Sequence, residues 1–305
     1  MRVAILTVLF GVAVSLQSAV NARLRSFVQS PFLTSLLSFA IGTVALLVLT
    51  AWRGELGLLS PSALVQLPLW TFAGGLLGLT FLTVNIVLFK KIGGVQTAVL
   101  PILGQLVMGA LIDQFGWIYA PVSEMTASKA IGLLLVVCGV IVVTDLAFAA
   151  MKAKSDAPFI WKVVGVVAGM MSAVQATVNG HLGSILSSAV TAATISFLVG
   201  TLLLIVLVFV TKAPFANVRV ALQAGPRYVW MWTGGLLGAF YVFGMAFAVP
   251  EIGAGQVIVF ALFGQLLSSA IIEHFGLLGA TKKRMTWQKV CALVVMLVGV
   301  MLVKL

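Results

Sequence analysis

Five short motifs recur in the same order in the two halves of this 305-residue chain, while the positive charges change sides between the copies. Gln17-Ser18-Ala19-Val20-Asn21 returns as Gln175-Ala176-Thr177-Val178-Asn179, and Ser38-Phe39-Ala40-Ile41-Gly42-Thr43 as Ser196-Phe197-Leu198-Val199-Gly200-Thr201. After a small change of length the register resumes. Gly74-Gly75-Leu76-Leu77-Gly78 matches Gly234-Gly235-Leu236-Leu237-Gly238, and Gly104-Gln105-Leu106 matches Gly264-Gln265-Leu266. Asp113-Gln114-Phe115-Gly116 then matches Glu273-His274-Phe275-Gly276. Chance does not produce collinear matches of this kind, so the fold must be built from two copies of one unit.

With 62% hydrophobic and 8% charged residues, neither copy can cover itself with an ordinary water-facing surface, and the chain reads as an integral membrane protein. A spanning helix needs about 20 mostly apolar residues. Such runs lie near 3–22, 31–51, 69–89, 94–115, 128–148, 161–182, 190–211, 228–248, 253–273 and 287–304. None alternates as a barrel strand does. The expected fold is all-α, with ten transmembrane helices arranged as two inverted five-helix repeats. The units are 1–150 and 151–305, joined at the polar stretch Met151 to Pro158 with Lys152, Lys154, Ser155 and Asp156. The first segment, with Arg2 and small residues near Ala22, has the look of a secretory signal, but its copy around Val163 to Asn179 makes both permanent helices.

The net charge of +11 does not indicate a nucleic-acid partner, because the basic residues lie in short loops and not on one polar face. Arg23, Arg25, Lys90, Lys91, Lys152, Lys154, Lys162, Lys212, Arg219, Arg227, Lys282, Lys283, Arg284 and Lys289 fall on one side, fourteen of the eighteen Lys and Arg. Arg2, Arg53, Lys129 and Lys304 fall on the other. The positive-inside rule then puts the odd-to-even loops in the cytoplasm and both termini outside, in a bacterial inner membrane. Arg23 and Arg25 become His181 and Gly183 in the second copy, while the loop around Pro121 becomes Lys282-Lys283-Arg284. An odd number of helices per repeat requires the inversion.

Polar side chains inside the apolar runs are the candidates for function. Gln105 and Gln265 lie mid-helix, where an unpaired amide costs several kcal/mol, so each is either glue between helices or part of a midplane site. Gln17 and Asn21 share a helix face, as do Gln175 and Asn179, which suits two gates around one cavity or plain helix-end capping. Asp113 and Glu273 approach opposite membrane faces, as interfacial acids or as alternating gates and proton acceptors. Phe39, Phe197, Phe240, Tyr241, Phe243 and Phe263 can offer ring faces to a ligand or pack. Gly74, Gly78, Gly234 and Gly238 have the spacing that brings helix backbones together, and Pro101 bends its helix where the other copy has Ala261. Cys138 and Cys291 read as small buried hydrophobes, and His181 and His274 as surface imidazoles without a metal cluster. No catalytic, cofactor-binding or metal-binding constellation stands out, so an enzyme is not expected.

Two five-helix repeats, with Gln-x-x-x-Asn closing the first helix of each and Gly-Gln followed by acid-x-Phe-Gly ending the fourth, resemble the YdcZ-type branch of the drug/metabolite transporter superfamily. The resemblance implies that the first four helices of each half surround a substrate path, that the fifth and tenth pack peripherally, and that transport is outward. It differs in having Gln17 and Asn21 where small multidrug relatives carry an acid on the first helix, so proton coupling through such an acid is not implied. Ten-helix relatives also imply cytoplasmic termini, against the loop charges. The expected function is secondary transport of a small organic metabolite or drug-like molecule by alternating access, with a proton as the candidate coupling ion. The alternative is a passive facilitator or channel for a small polar solute. The substrate is a neutral, zwitterionic or delocalised cationic molecule, because no charge stands at midmembrane to pair with a compact one. The expected assembly is a monomer or loose homodimer in the lipid bilayer, with no cofactor.

Overall fold

The computed structural model describes residues 2–143, 158–280, 282 and 284–304, without the side chains at 82, 83, 85, 86, 89–99 and 304. The join at 150/151, most of the polar stretch before Pro158, Lys283 and the side chains of Lys90 and Lys91 lie outside what is described. The protein is 86% helical, with no strand among the described residues. Its helices are α1 (Arg2–Val28), α2 (Pro31–Trp52), α3 (Pro61–Leu64), α4 (Ala73–Phe115), α5 (Ala127–Val143), α6 (Phe159–Ile185), α7 (Ala189–Val210), α8 (Ala216–Leu222), α9 (Gly234–Ile252), α10 (Ala254–Phe275) and α11 (Trp287–Lys304).

Among the described residues six helical stretches are long and apolar enough to cross a membrane, and four shorter apolar helices accompany them, at Leu69–Phe81, Leu100–Phe115, Ala127–Val143 and Trp287–Val303. Large apolar side chains face outward where lipid must lie, with Val48 63% exposed on α2 and Leu202 61% exposed on α7. Helix ends follow from residues that recur in the two halves. Ser30 and Ser188 are the N-caps of α2 and α7, each accepting a hydrogen bond from the backbone N–H three residues on. Gly116 and Gly276 close α4 and α10 in left-handed conformation, φ 63° and 65°, which explains the glycine of the acid-x-Phe-Gly motif. Beyond these caps, Gln114 Oε1 accepts from Met125 N and His274 Nδ1 from Met285 N, so the repeated position pins the following loop.

The inversion is visible in contacts between equivalent helices. On α2 and α7, Thr43 Oγ1 hydrogen-bonds Thr201 Oγ1 at 2.8 Å and Thr50 Oγ1 hydrogen-bonds Thr194 Oγ1 at 2.9 Å, so one helix ascends as its counterpart descends. Phe39 stacks on its own counterpart Phe197 at 4.8 Å, and a residue can meet its own copy only beside the axis relating them. The second such pair is α5 and α11. Gly132 lies against Gly299 and Gly139 against Ala292, again antiparallel. Cys138 and Cys291, expected to be buried, are exposed because these two helices turn their glycines toward each other and their cysteines outward.

The two repeats interlock. α1 packs on α9 and α10 of the other half, and α6 packs on α4. Leu88 and Leu100 both lie against Gly165, although a straight helix would hold residues twelve apart at about 18 Å. The long α4 therefore folds back on itself between them, matching the break between α9 and α10. There Gly253, at φ 86°, takes a backbone conformation that side-chain-bearing residues avoid.

One face carries a brace without a repeat counterpart. Glu55, after α2, accepts from Ser188 Oγ and from Thr191 Oγ1 at 2.8 Å, and pairs with Arg53 Nε at 2.7 Å. Burial raises the Glu55 pKa, but these hydrogen bonds and the Arg53 charge outweigh it and hold the carboxyl below its ordinary 4.5. A folded-state pKa below the unfolded one stabilises fully above the unfolded value and is lost as pH falls through the folded value. Thermal unfolding should therefore show Glu55→Gln less stable than the parent near pH 7, with the gap closing as the pH falls below the ordinary carboxyl value of 4.5. A gap independent of pH would remove the carboxylate from this account.

Candidate substrate site

The site begins with four glycines, of which Gly104 and Gly264 belong to the repeat motifs and Gly11 and Gly169 do not. A Cβ on Gly104 would stand 1.9 Å from the Val166 carbonyl oxygen, and one on Gly169 1.9 Å from that of Pro101, so α4 and α6 cross backbone to backbone. Gly264 against Val8 at 2.0 Å and Gly11 against Ala261 at 1.9 Å make the related crossing of α10 with α1. Pro101 and Ala261 make their contacts through backbone carbonyls, which is why their different side chains serve equally well there. Each crossing fixes the residue after its glycine, and those residues are Gln105 and Gln265.

Both glutamines line one cavity between the halves, with Ser172, Ala173, Ala176, Tyr241, Met245, Ile258, Ala261 and Leu262. Its free space of about 10 Å³ holds a single water at most. Gln105 Nε2 donates to Ser172 Oγ at 3.0 Å. The counterpart of Ser172 is Val14, and the Gln265 amide has no protein partner among the described residues. Tyr241, whose counterpart is Phe81, adds a hydroxyl that is likewise without a described protein partner. The cavity is lined by α4, α6, α9 and α10, which contribute Gln105, Ser172, Tyr241 and Gln265 in turn, and it carries no charged group. Ser172 and Met245 escaped the repeat comparison because one copy lacks the related residue type; a hydroxyl in the middle of an apolar run was the available signal for Ser172.

The other candidates lie elsewhere. Asn21 and Asn179 direct their side-chain oxygens into the space left by Gly234 and Gly74, and Gln17 and Gln175 do the same with their amide nitrogens at Gly238 and Gly78. Both helices run on past these residues, to Val28 and Ile185, so none is a helix-end cap. Asn21 Nδ2 also donates to Ser38 Oγ at 3.3 Å, while the side-chain oxygens of Asn21 and Asn179 are buried without a conventional donor and rest on glycine Cα atoms. The glycine pairs thus receive amide side chains of the opposite repeat. Phe39 and Phe197 stack beside the axis, outside the cavity lining.

Asp113 is buried, 6% exposed, and its Oδ2 accepts from Gly255 N at 3.0 Å in the first turn of α10. Unsatisfied N–H groups at a helix N-terminus favour an anion there, so this acid latches one half to the other. Glu273 is half-buried at the related place on the opposite face. His181 is a ring in a stack, 4.4 Å from Tyr119 and 5.2 Å from Trp70. Among the described residues no cluster of His, Cys, Asp and Glu could hold a metal ion.

The family described as "Putative inner membrane exporter, YdcZ" matches residues 3–142 and again 160–302, once per repeat. The chain belongs to the YdcZ family of drug/metabolite transporters. It is thus a membrane transporter made of two fused YdcZ units. No curated protein matches it. A crystal structure of a protein 15% identical superposes with a TM-score of 0.66, covering 97% of this chain and 95% of that one, a likeness of fold alone.

Proposed function

We propose that this YdcZ transporter exports a small neutral, zwitterionic or delocalised cationic organic molecule by alternating access across a bacterial inner membrane. The observation that carries this reading is the convergence of Gln105 and Gln265, one from each half, with the Tyr241 hydroxyl on a single uncharged cavity. Gln265 and Tyr241 offer the hydrogen-bonding groups left over for a ligand, and Met245, Ile258 and Leu262 its apolar wall. The nearly filled cavity is the occluded stage of an alternating-access cycle whose axis runs beside the Phe39–Phe197 and Thr43–Thr201 contacts. Gln17, Asn21, Gln175 and Asn179 are the sliding contacts of that motion. Asp113 latches one face through Gly255 N, Glu273 at the related position is the candidate latch of the other, and either acid can carry a coupling proton. The ten-helix count follows from the apolar runs, and termini outside the cytoplasm follow from the loop charges.

A metabolite library screened by thermal shift supplies the substrate, and counterflow in proteoliposomes tests the mechanism. Saturable uptake stimulated by substrate on the far side is expected. Asp113→Asn, which keeps an acceptor for Gly255 N–H and removes the charge, should slow flux and flatten its pH dependence. Nonsaturable downhill flow without counterflow would instead indicate a passive pathway.

A further inference from the structure

The strongly basic face carries a pocket apart from the central cavity. Arg23 of α1, Arg227, Tyr228 and Trp230 of the turn before α9, and Leu278 and Gly279 after α10 enclose about 320 Å³. At the related place on the opposite face, His181 stands for Arg23, Trp70 for Trp230 and Tyr119 for Gly279. Those three rings stack within 12° to 16° of parallel and occupy the space. On the basic face the glycine leaves the tyrosine's volume open. Arg23 extends into it, its guanidinium 4.8 Å from the Tyr228 ring centre and 5.2 Å from that of Phe27.

Ring faces orient a guanidinium while leaving its N–H edge available, and no carboxylate is among the pocket's lining residues. Two cations, Arg23 oriented by its rings and Arg227 exposed, therefore line an open volume with no carboxylate among its lining residues. The pocket also lies near the end of a spanning helix and beside a tryptophan, a residue enriched where helices of membrane proteins meet the headgroups. Next to it Val229, Phe275 and Leu277 are 63%, 64% and 47% exposed, an apolar flank along which acyl chains can run. A soluble anion would gain nothing from that flank. We propose that this pocket binds the phosphate headgroup of an anionic phospholipid, held by Arg23 and Arg227 with its chains along Val229 and Leu277.

The full chain in detergent is to be titrated with phosphatidylglycerol, phosphatidylcholine or inorganic phosphate, with retained lipid counted by native mass spectrometry and thermal unfolding followed in parallel. Diffuse attraction to a basic surface is worth roughly fivefold per residue wherever the residue lies. The double variant Arg23→Gln, Arg227→Gln should therefore lose at least about tenfold more phosphatidylglycerol affinity than the control Lys212→Gln, Arg219→Gln, which removes the same charge from the same face. Arg23→Lys, which keeps the charge and loses the planar fork, should also weaken retention. Each variant's unfolding in lipid-free detergent checks its fold, and Arg227→Gln alone, at an exposed position outside any α-helix, serves if the double variant does not fold. Equal losses in the two double variants, equal retention of phosphatidylcholine, or displacement of the lipid by millimolar phosphate would each overturn the proposal.

Discussion

Replacing Gly104 by alanine should destabilise this transporter, although alanine is the better helix former by about 1 kcal/mol. The added methyl would stand 1.9 Å from the Val166 carbonyl oxygen, a backbone atom that no rotamer change can move. Relieving the overlap means separating α4 from α6, and overpacking of this kind costs typically 1–3 kcal/mol, occasionally more. The net change is a loss. It is enlarged because helices in lipid associate through close packing without the hydrophobic drive available in water. Gly264→Ala should behave alike against Val8. Gly57→Ala is the matched control, since nothing stands within 4 Å of the new methyl. Thermal unfolding in detergent should order the variants as Gly57→Ala near the parent and both crossing variants well below it. Unfolding of Gly104→Ala at the same temperature as Gly57→Ala would mean that the crossing is not tight in the working protein.

Gln265→Leu should separate stability from transport. Its amide has no described protein partner, so leucine removes a desolvated polar group and leaves the unfolding temperature unchanged or raised. A substrate group that bonds this amide would then go unpaired, at about 1–3 kcal/mol, or roughly a five- to 150-fold loss in flux at low substrate. Gln105→Leu should show the converse balance. Its amide already bonds Ser172 at 3.0 Å, so the variant loses an interhelical contact worth about 0.6 kcal/mol and transports less impaired than Gln265→Leu. Initial rates in proteoliposomes, normalised to inserted protein, would measure both. Equal flux losses in the two variants would assign the glutamines symmetric roles and set aside the account built on Ser172 and Val14.

Much of the fold was legible in the residues. Apolar length and loop charge are local properties, and they are enough for a helical membrane protein made of an upright and an inverted unit. The two central glutamines were legible for a related reason: a repeated amide in hydrocarbon must have a partner or a purpose. The site's asymmetry was less accessible. The motifs marked what the halves share, whereas Ser172 against Val14, Tyr241 against Phe81 and Gly279 against Tyr119 are places where they differ. Gln17, Asn21, Gln175 and Asn179 share helix faces in sequence, but which glycine each meets depends on which helix of the other half lies opposite.

The residues alone determined helix formation, the duplication and its reversal, because backbone groups in lipid must bond within their own helix and positive loops resist translocation. Only the tertiary structure decided that α1 lies on the second half and α6 on the first, that four glycines set the crossings, and that Gln105 bonds Ser172 while Gln265 has no partner among the described residues. Those outcomes rest on contacts between residues far apart in the chain. Such contacts depend on helix separation and rotation, which a pattern along one helix does not specify.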